Sequence, residues 1–167
     1  MLARLIWRSS IYNLQSVNIR PATPADVPAL MALEHRAATA AHWSEADYRR
    51  LFPPSEDRLA LVLEEGEVEG FIVARGVETE WEIENIAVAG RARRRGLGAR
   101  LLIELLKRVR QAGARNIFLE VRESNRAARS LYEKWAFVET GRRKGYYHQP
   151  EEDAVLYRFT FPATPEK

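Results

Sequence analysis

The stretch RARRRGLGARLL, Arg91 to Leu102, sets five arginines around two glycines directly ahead of an apolar run. A strand that runs into a glycine-containing turn and then a helix directs unpaired backbone N–H groups and the positive helix end at one spot. Gly96 and Gly98 have no Cβ, so a ligand can come close to the backbone, while Arg93, Arg94 and Arg95 add charge and forked donors. The chemistry that suits such a stretch is phosphate binding, with a pyrophosphate as the natural guest. A P-loop is excluded, because Gly98 is followed by Ala99 and Arg100 where that motif needs Lys then Ser or Thr. The dinucleotide fingerprint also fails, because Leu101 stands where a third glycine or alanine belongs and the strand ahead of the motif belongs to a meander. What remains is the spacing Arg93-x-x-Gly96-x-Gly98. Taken alone, it serves equally well as a solvated helix start with glycines that only shape a turn.

The elements that must position this stretch are legible on both sides of it. VNIRPAT reads as a strand, and TPADVPALMALEHRAATA as a helix with Thr23 as N-cap, Pro24 at the first helical position and Asp26 in the first turn. Ser44 repeats the capping logic ahead of EADYRRLF, a short helix that Pro53-Pro54 should end. Two β-rich runs joined at Glu65-Gly66, followed by WEIENIAVAG, predict an antiparallel meander. From Gly96 onward, Leu97, Leu101, Leu102, Leu105 and Val109 fall at helical spacing, which leaves Arg100, Glu104, Lys107, Arg108 and Arg110 for the outer face, and Gly113 ends the helix. NIFLEV reads as a buried strand and NRAARSLYEKW as a helix capped by Ser124. FVETGRR and DAVLYRFTF read as two closing strands around a loop that holds Tyr146, Tyr147 and Pro150. Strands and helices mixed around one sheet make an α/β or α+β single domain.

The bulk composition narrows the function classes. A chain of 167 residues fits one domain, here residues 17–161, with 1–16 as an extension outside the core and 162–167 as a short tail. The first sixteen residues carry arginines and serines but no acid, as transit peptides do; Arg4 and Arg8 interrupt any secretory apolar region and no cleavage motif is present. With no cysteine there is no disulfide framework, thiolate nucleophile or sulfur-ligated zinc, and the cytoplasm is the expected location. His35, His42 and His148 are too scattered for a triad or a metal site, no G-x-S-x-G occurs, and no metal is expected. Net charge +3 and pI near 9.4 favour anionic ligands but lack the concentrated footprint of a nucleic-acid binder. Charged residues interrupt every hydrophobic run, so no membrane partner is expected.

The Arg93-x-x-Gly96-x-Gly98 spacing resembles the Q/R-x-x-G-x-G/A signature of the GNAT superfamily of acyl-coenzyme A-dependent N-acyltransferases. NIAV ahead of it, LEVRESNRAARSLYEKWAF after it and YYHQPEEDAVLYRF near the end look like the bacterial ribosomal-protein-alanine N-acetyltransferases within that superfamily. AAHWSEADY resembles their segment after the first helix, and the likeness spans Val17 to Phe161. It implies a mixed, mostly antiparallel sheet of about six to seven strands splayed at the centre, flanked by about four helices, with acetyl-coenzyme A in the gap. By position, Ile86, Ala87 and Val88 would offer backbone contacts to the pantetheine arm and thioester. Arg93, Arg94, Arg95, Gly96, Leu97, Gly98 and Ala99 would hold the pyrophosphate, and Asn125 would contact coenzyme A. Arg93 in place of the frequent glutamine, Trp135-Ala136 in place of leucine-glycine, and His148 in place of proline depart from the family pattern.

An amine that attacks a thioester must lose a proton, and the departing thiolate is helped by gaining one. The resemblance assigns the base to Glu120 and the acid to Tyr132. Glu120 ends an apolar strand, where desolvation raises a carboxyl group's pKa toward neutrality; spacing alone would instead pair it with Arg122 or another arginine. Tyr132 at helical spacing after Ala128 also suits plain core packing. The resemblance places Tyr146, Tyr147 and Trp43 beside an acceptor peptide, and for each of them aromatic packing is the rival role. The resulting expectation is direct acetyl transfer to a protein N-terminus, an alanine of a ribosomal protein. Transfer to a lysine or a small amine, a non-catalytic coenzyme A sensor, and an RNA- or ribosome-binding module built on Arg91 to Arg100 are the alternatives.

Overall fold

The computed structural model describes residues 17–37, 42–52, 55 and 57–163. The extension at 1–16, the predicted end of the first helix at 38–41, the stop at Pro53-Pro54 and most of the tail, 164–167, lie outside the described residues.

Strand β1 (Asn18–Pro21) pairs antiparallel with β2 (Arg58–Glu65), which turns at Gly66, φ +80°, into β3 (Glu67–Val77) and then β4 (Glu80–Val88). Leu61, Val62, Leu63 and Phe71 to Ala74 are all buried, so these central strands read as continuous apolar runs. The cause is cover on both faces. One face carries α3 (Leu97–Gln111), and the other carries α1 (Val27–His35) and α2 (Glu45–Arg49). The five apolar positions predicted for α3 are all buried, and Gly113 at φ +90° follows its end.

Three expectations are corrected. The first helix opens with a 3₁₀ turn, Pro24–Asp26, and α1 proper begins at Val27 and ends at His35. Helix α4 (Arg126–Lys134), which follows β5 (Asn116–Arg122), is capped by Asn125 and not Ser124: the Asn125 Oδ1 accepts from the Ala128 N–H, while the Ser124 N–H donates to Glu152. Tyr146 and Tyr147 lie within β6 (Val138–His148) and not in a loop; only Gln149 and Pro150, joined by a cis peptide, separate β6 from β7 (Glu151–Thr160). A register shift between Arg143 and Tyr147 absorbs the extra residues and lets the strand run on.

The seven strands make one sheet in the order β1-β2-β3-β4-β5-β7-β6. β4 and β5 are parallel and pair only over Glu80–Ile83 against Asn116–Leu119. Beyond those four residues the strands diverge, so Glu84 to Val88 and Glu120 to Arg122 face a gap at the centre of the sheet. β4 is also irregular there: Val73 and Ala74 of β3 oppose Asn85 and Ile83, which leaves Glu84 as an extra residue.

At the far edge, Asp26 fastens β1 to the first helix. Its carboxylate takes a bidentate pair from Arg20 at 2.8 Å and bonds from the Thr23 N–H and hydroxyl. The Arg20 hydrogen bonds hold its pKa down to about 2. Because the folded value lies below the unfolded one, this stabilisation is complete above about pH 5 and is lost as pH falls through 2. Asp26→Asn is expected to cost about 2 kcal/mol at pH 7 and almost nothing at pH 2, checked by urea unfolding at both.

Candidate active site

The gap between β4 and β5 opens into a cleft of about 1040 Å³ that continues between the start of α3 and α4. Every predicted site residue lines it except Arg95, including Ile86 to Val88 from one strand, Glu120 from the other, Gly96 to Ala99 and Asn125. Arg95 instead pairs with Glu65 at 2.7 Å, and Arg91 is held by Glu67 and Glu69. The arginine cluster is therefore divided. Arg91 and Arg95 brace the turn against the β2–β3 hairpin, while Arg93, whose Nε donates to the Val88 carbonyl at 3.3 Å, and Arg94 line the cleft.

The turn itself suits an anion. Arg94 and Gly96 both adopt left-handed backbone, φ +60° and +75°, the kind of turn geometry from which anion-binding nests are built. Among the described residues no side chain caps α3, whose N-cap is Gly96. A Cβ at Gly96 would meet nothing within 4 Å; one at Gly98 would touch Leu131 Cδ2 at 3.5 Å and Val88 Cγ2 at 3.8 Å, at the narrow place between α3 and α4. Open N–H groups, two arginines and a bare backbone fit a pyrophosphate.

At the other mouth of the cleft, the Glu120 carboxylate takes a bond of 2.8 Å from Arg143. An arginine partner was one option from the sequence, but Arg122 is not it. Arg122 is buried, pairs with Glu152 at 2.8 Å, donates to the carbonyls of Gln149 and Pro150, and lies over the Tyr147 ring at 4.1 Å. Tyr146 and Tyr147 meet edge to face, with Arg143 over Tyr146 at 3.9 Å. Burial, then the charge of Glu120, pushes the Tyr147 phenol up to about 12 and raises that of Tyr146. The rings pack together and also line the cleft.

Tyr132 is likewise packed and at the cleft wall. Its ring packs against Phe137 at 5.6 Å and Tyr157 at 6.2 Å, yet the residue lines the cleft. Burial raises its pKa well above the ordinary phenol value, so its proton is retained through neutral and alkaline pH. Ala136, one of the departures from the resembled pattern, has φ +64°, in the left-handed region that glycine enters more readily.

Trp43 lines the cleft from the segment before α2, and its ring contacts Tyr48 at 5.4 Å. What holds it was not foreseen. The Trp43 N–H donates to both oxygens of Glu34 at 3.0 Å, and Asn85 Nδ2 donates to the same carboxylate at 2.8 Å. Glu34 is 1% exposed, and burial together with its charge raises the Tyr48 phenol pKa. The signal was present in the sequence: Val27, Leu30 and Glu34 share one helical stripe, and a carboxylate on a buried face needs partners. Glu82 was also missed. It lines the cleft beside Glu120, and burial followed by the Glu120 charge raises its pKa.

A sheet split between parallel β4 and β5, with a phosphate-ready turn at one end and a carboxylate at the other, fits acyl transfer from a nucleotide-linked thioester. The family described as Acetyltransferase (GNAT) matches residues 27–137. The chain belongs to that family. It is 36% identical to the [ribosomal protein bS18]-alanine N-acetyltransferase of Salmonella typhimurium, over 78% of this chain and 88% of that one. The crystal structure of the ribosomal-protein-S18-alanine N-acetyltransferase from Escherichia coli superposes with a TM-score of 0.79 at 32% identity, covering 90% of this chain and 97% of that one. Ard1 from Thermoplasma volcanium also gives 0.79, at 29% identity, with 89% and 99% covered. The protein is thus a GNAT acetyltransferase with the mixed, splayed sheet of that family.

Proposed function

We propose that this GNAT enzyme transfers the acetyl group of acetyl-coenzyme A to the α-amino group of a protein N-terminus, an alanine of a ribosomal protein. The observation that carries the proposal is the presence of Glu120 and Tyr132 in one cleft with the Arg94–Ala99 turn, in a chain 36% identical to an enzyme named for that reaction. Acetyl-coenzyme A, when bound, supplies the thioester carbonyl. Arg93, Arg94 and the N–H groups of Gly96 to Ala99 would hold its pyrophosphate, Asn125 would contact coenzyme A, and the backbone of Ile86 to Val88 would orient the pantetheine arm.

The residues of the chain then divide the proton work. Glu120 faces the acceptor end, where it takes the proton that an ammonium must shed before it can attack. Tyr132, held neutral by burial, keeps a proton at Oη for the departing sulfur. Trp43, Tyr146 and Tyr147 border the acceptor side and position the peptide. The cytoplasm, where ribosomal proteins are made, is the proposed location, and no metal enters the scheme.

The test offers acetyl-coenzyme A with peptides that begin with alanine, beside matched peptides with blocked N-termini and free lysines. Mass spectrometry should show one added acetyl group on the free alanine N-terminus alone. Acetylated lysine in the blocked peptides would assign a different acceptor to the same cleft.

A further inference from the structure

We propose that Arg143 is a resident counter-ion of Glu120 that the acceptor's protonated α-amine displaces; this rests on the reading of Glu120 as the residue that meets the amine. The Glu120 side chain is 23% exposed, and its carboxylate is held by Arg143 at 2.8 Å. A second cation that arrives at this carboxylate therefore has to compete with the first.

The two arginines of the acceptor mouth differ in a way that marks Arg143 as exchangeable. Both lie over a tyrosine ring. Arg122 is 8% exposed and fixed by one carboxylate and two carbonyls, as a structural strut should be. Arg143 is 51% exposed and has one carboxylate and one ring. Just beyond it the β6–β7 register skips from Arg143 to Tyr147, and the Gly145 N–H donates to the Asp153 carboxylate at 2.9 Å. When the carboxylate is taken by another cation, the guanidinium keeps its place over Tyr146, which limits the cost of letting go.

The surrounding charges favour exchange over simple addition. Glu82 from β4 faces Glu120, with Arg75 of β3 opposite Glu82 in the ladder; from β6 come Arg143, Tyr146 and Tyr147. An α-ammonium that replaces the guanidinium leaves the Glu120 charge compensated throughout, whereas an uncharged N-terminus gives no drive for the exchange. The arrangement thus selects for a free, protonated amine and sets its affinity below what an unoccupied carboxylate would give.

The test measures, by calorimetry with coenzyme A present, how much more tightly an alanine-first peptide binds than the same peptide acetylated at its N-terminus. In Arg143→Met and Arg143→Gln this ratio should rise about two- to fivefold, the size of a partly exposed ion pair. Arg143→Lys, which restores a cation, should return it to the wild-type value, and Glu120→Gln should bring it close to one. An unchanged or smaller ratio in both uncharged variants, with Glu120→Gln still near one, would overturn the role of Arg143 alone. A wild-type ratio in Glu120→Gln would overturn the placement of the amine at Glu120 and the exchange with it. If lysine is acetylated in the separate mass assay while these ratios hold, only the choice of acceptor fails. Retained coenzyme A affinity in each variant certifies the fold.

Discussion

Glu120→Gln is expected to lower kcat by about a hundredfold to ten-thousandfold, the range attached to a positioned proton acceptor, while acetyl-coenzyme A binds with nearly wild-type affinity. The separation follows from where the residue stands. Glu120 is on β5 at the mouth proposed to receive the acceptor, whereas the turn proposed to hold the pyrophosphate precedes α3. Glutamine keeps the volume and still accepts the Arg143 bond, so the groove need not rearrange. What it cannot do is take a proton. The residual rate should therefore track the fraction of acceptor already neutral, rising about tenfold per pH unit until the α-amine pKa of roughly 7.7–8.0 is passed. Stopped-flow or radiometric turnover between pH 6 and 9 checks both parts. Turnover equal to wild type across that range would remove Glu120 from the chemistry.

The fold was legible where one periodicity dominates. The apolar spacing of α3 named all five of its buried positions, and the Glu65-Gly66 junction marked the β2–β3 turn, because both signals are local. The partners of the arginines were not legible. Arg95 finds Glu65 and Arg91 finds Glu69 across 30 and 22 residues of chain, contacts that exist only once the meander returns beside the turn. Glu120 pairs with Arg143, 23 residues on, and not with Arg122 two residues away. Residues two apart on a strand share a face, but here Arg122 is drawn to the β6–β7 hairpin by Glu152 and two carbonyls. The tyrosine pair was misplaced because the predicted strand FVETGRR stops at Arg143 and Lys144-Gly145 after it look like the start of a loop; a bulge accommodates them within β6. Glu34 was the opposite case. Its position on an apolar stripe was readable, but its partners, Trp43 and Asn85, come from two distant segments.

Gly98→Leu is the second large effect. It should weaken acetyl-coenzyme A binding by about five- to a hundredfold, the equivalent of forcing surplus methylenes into a filled space, with little change in kcat at saturation. A Cβ at Gly98 meets Leu131 at 3.5 Å and Val88 at 3.8 Å, ordinary contact distances, and Gly98 lines the cleft, so a longer side chain is expected to reach into it. Gly98→Ala should for this reason be close to neutral, and the contrast between the two variants isolates bulk from the loss of glycine itself. Helix α3 should tolerate either change, since Gly98 is its second residue and both alanine and leucine favour helix over glycine. Calorimetry with coenzyme A, paired with thermal unfolding, distinguishes the causes. Lost affinity with an unchanged Tm places the cofactor against the Gly98 backbone, and wild-type affinity in Gly98→Leu would show that it lies elsewhere in the cleft.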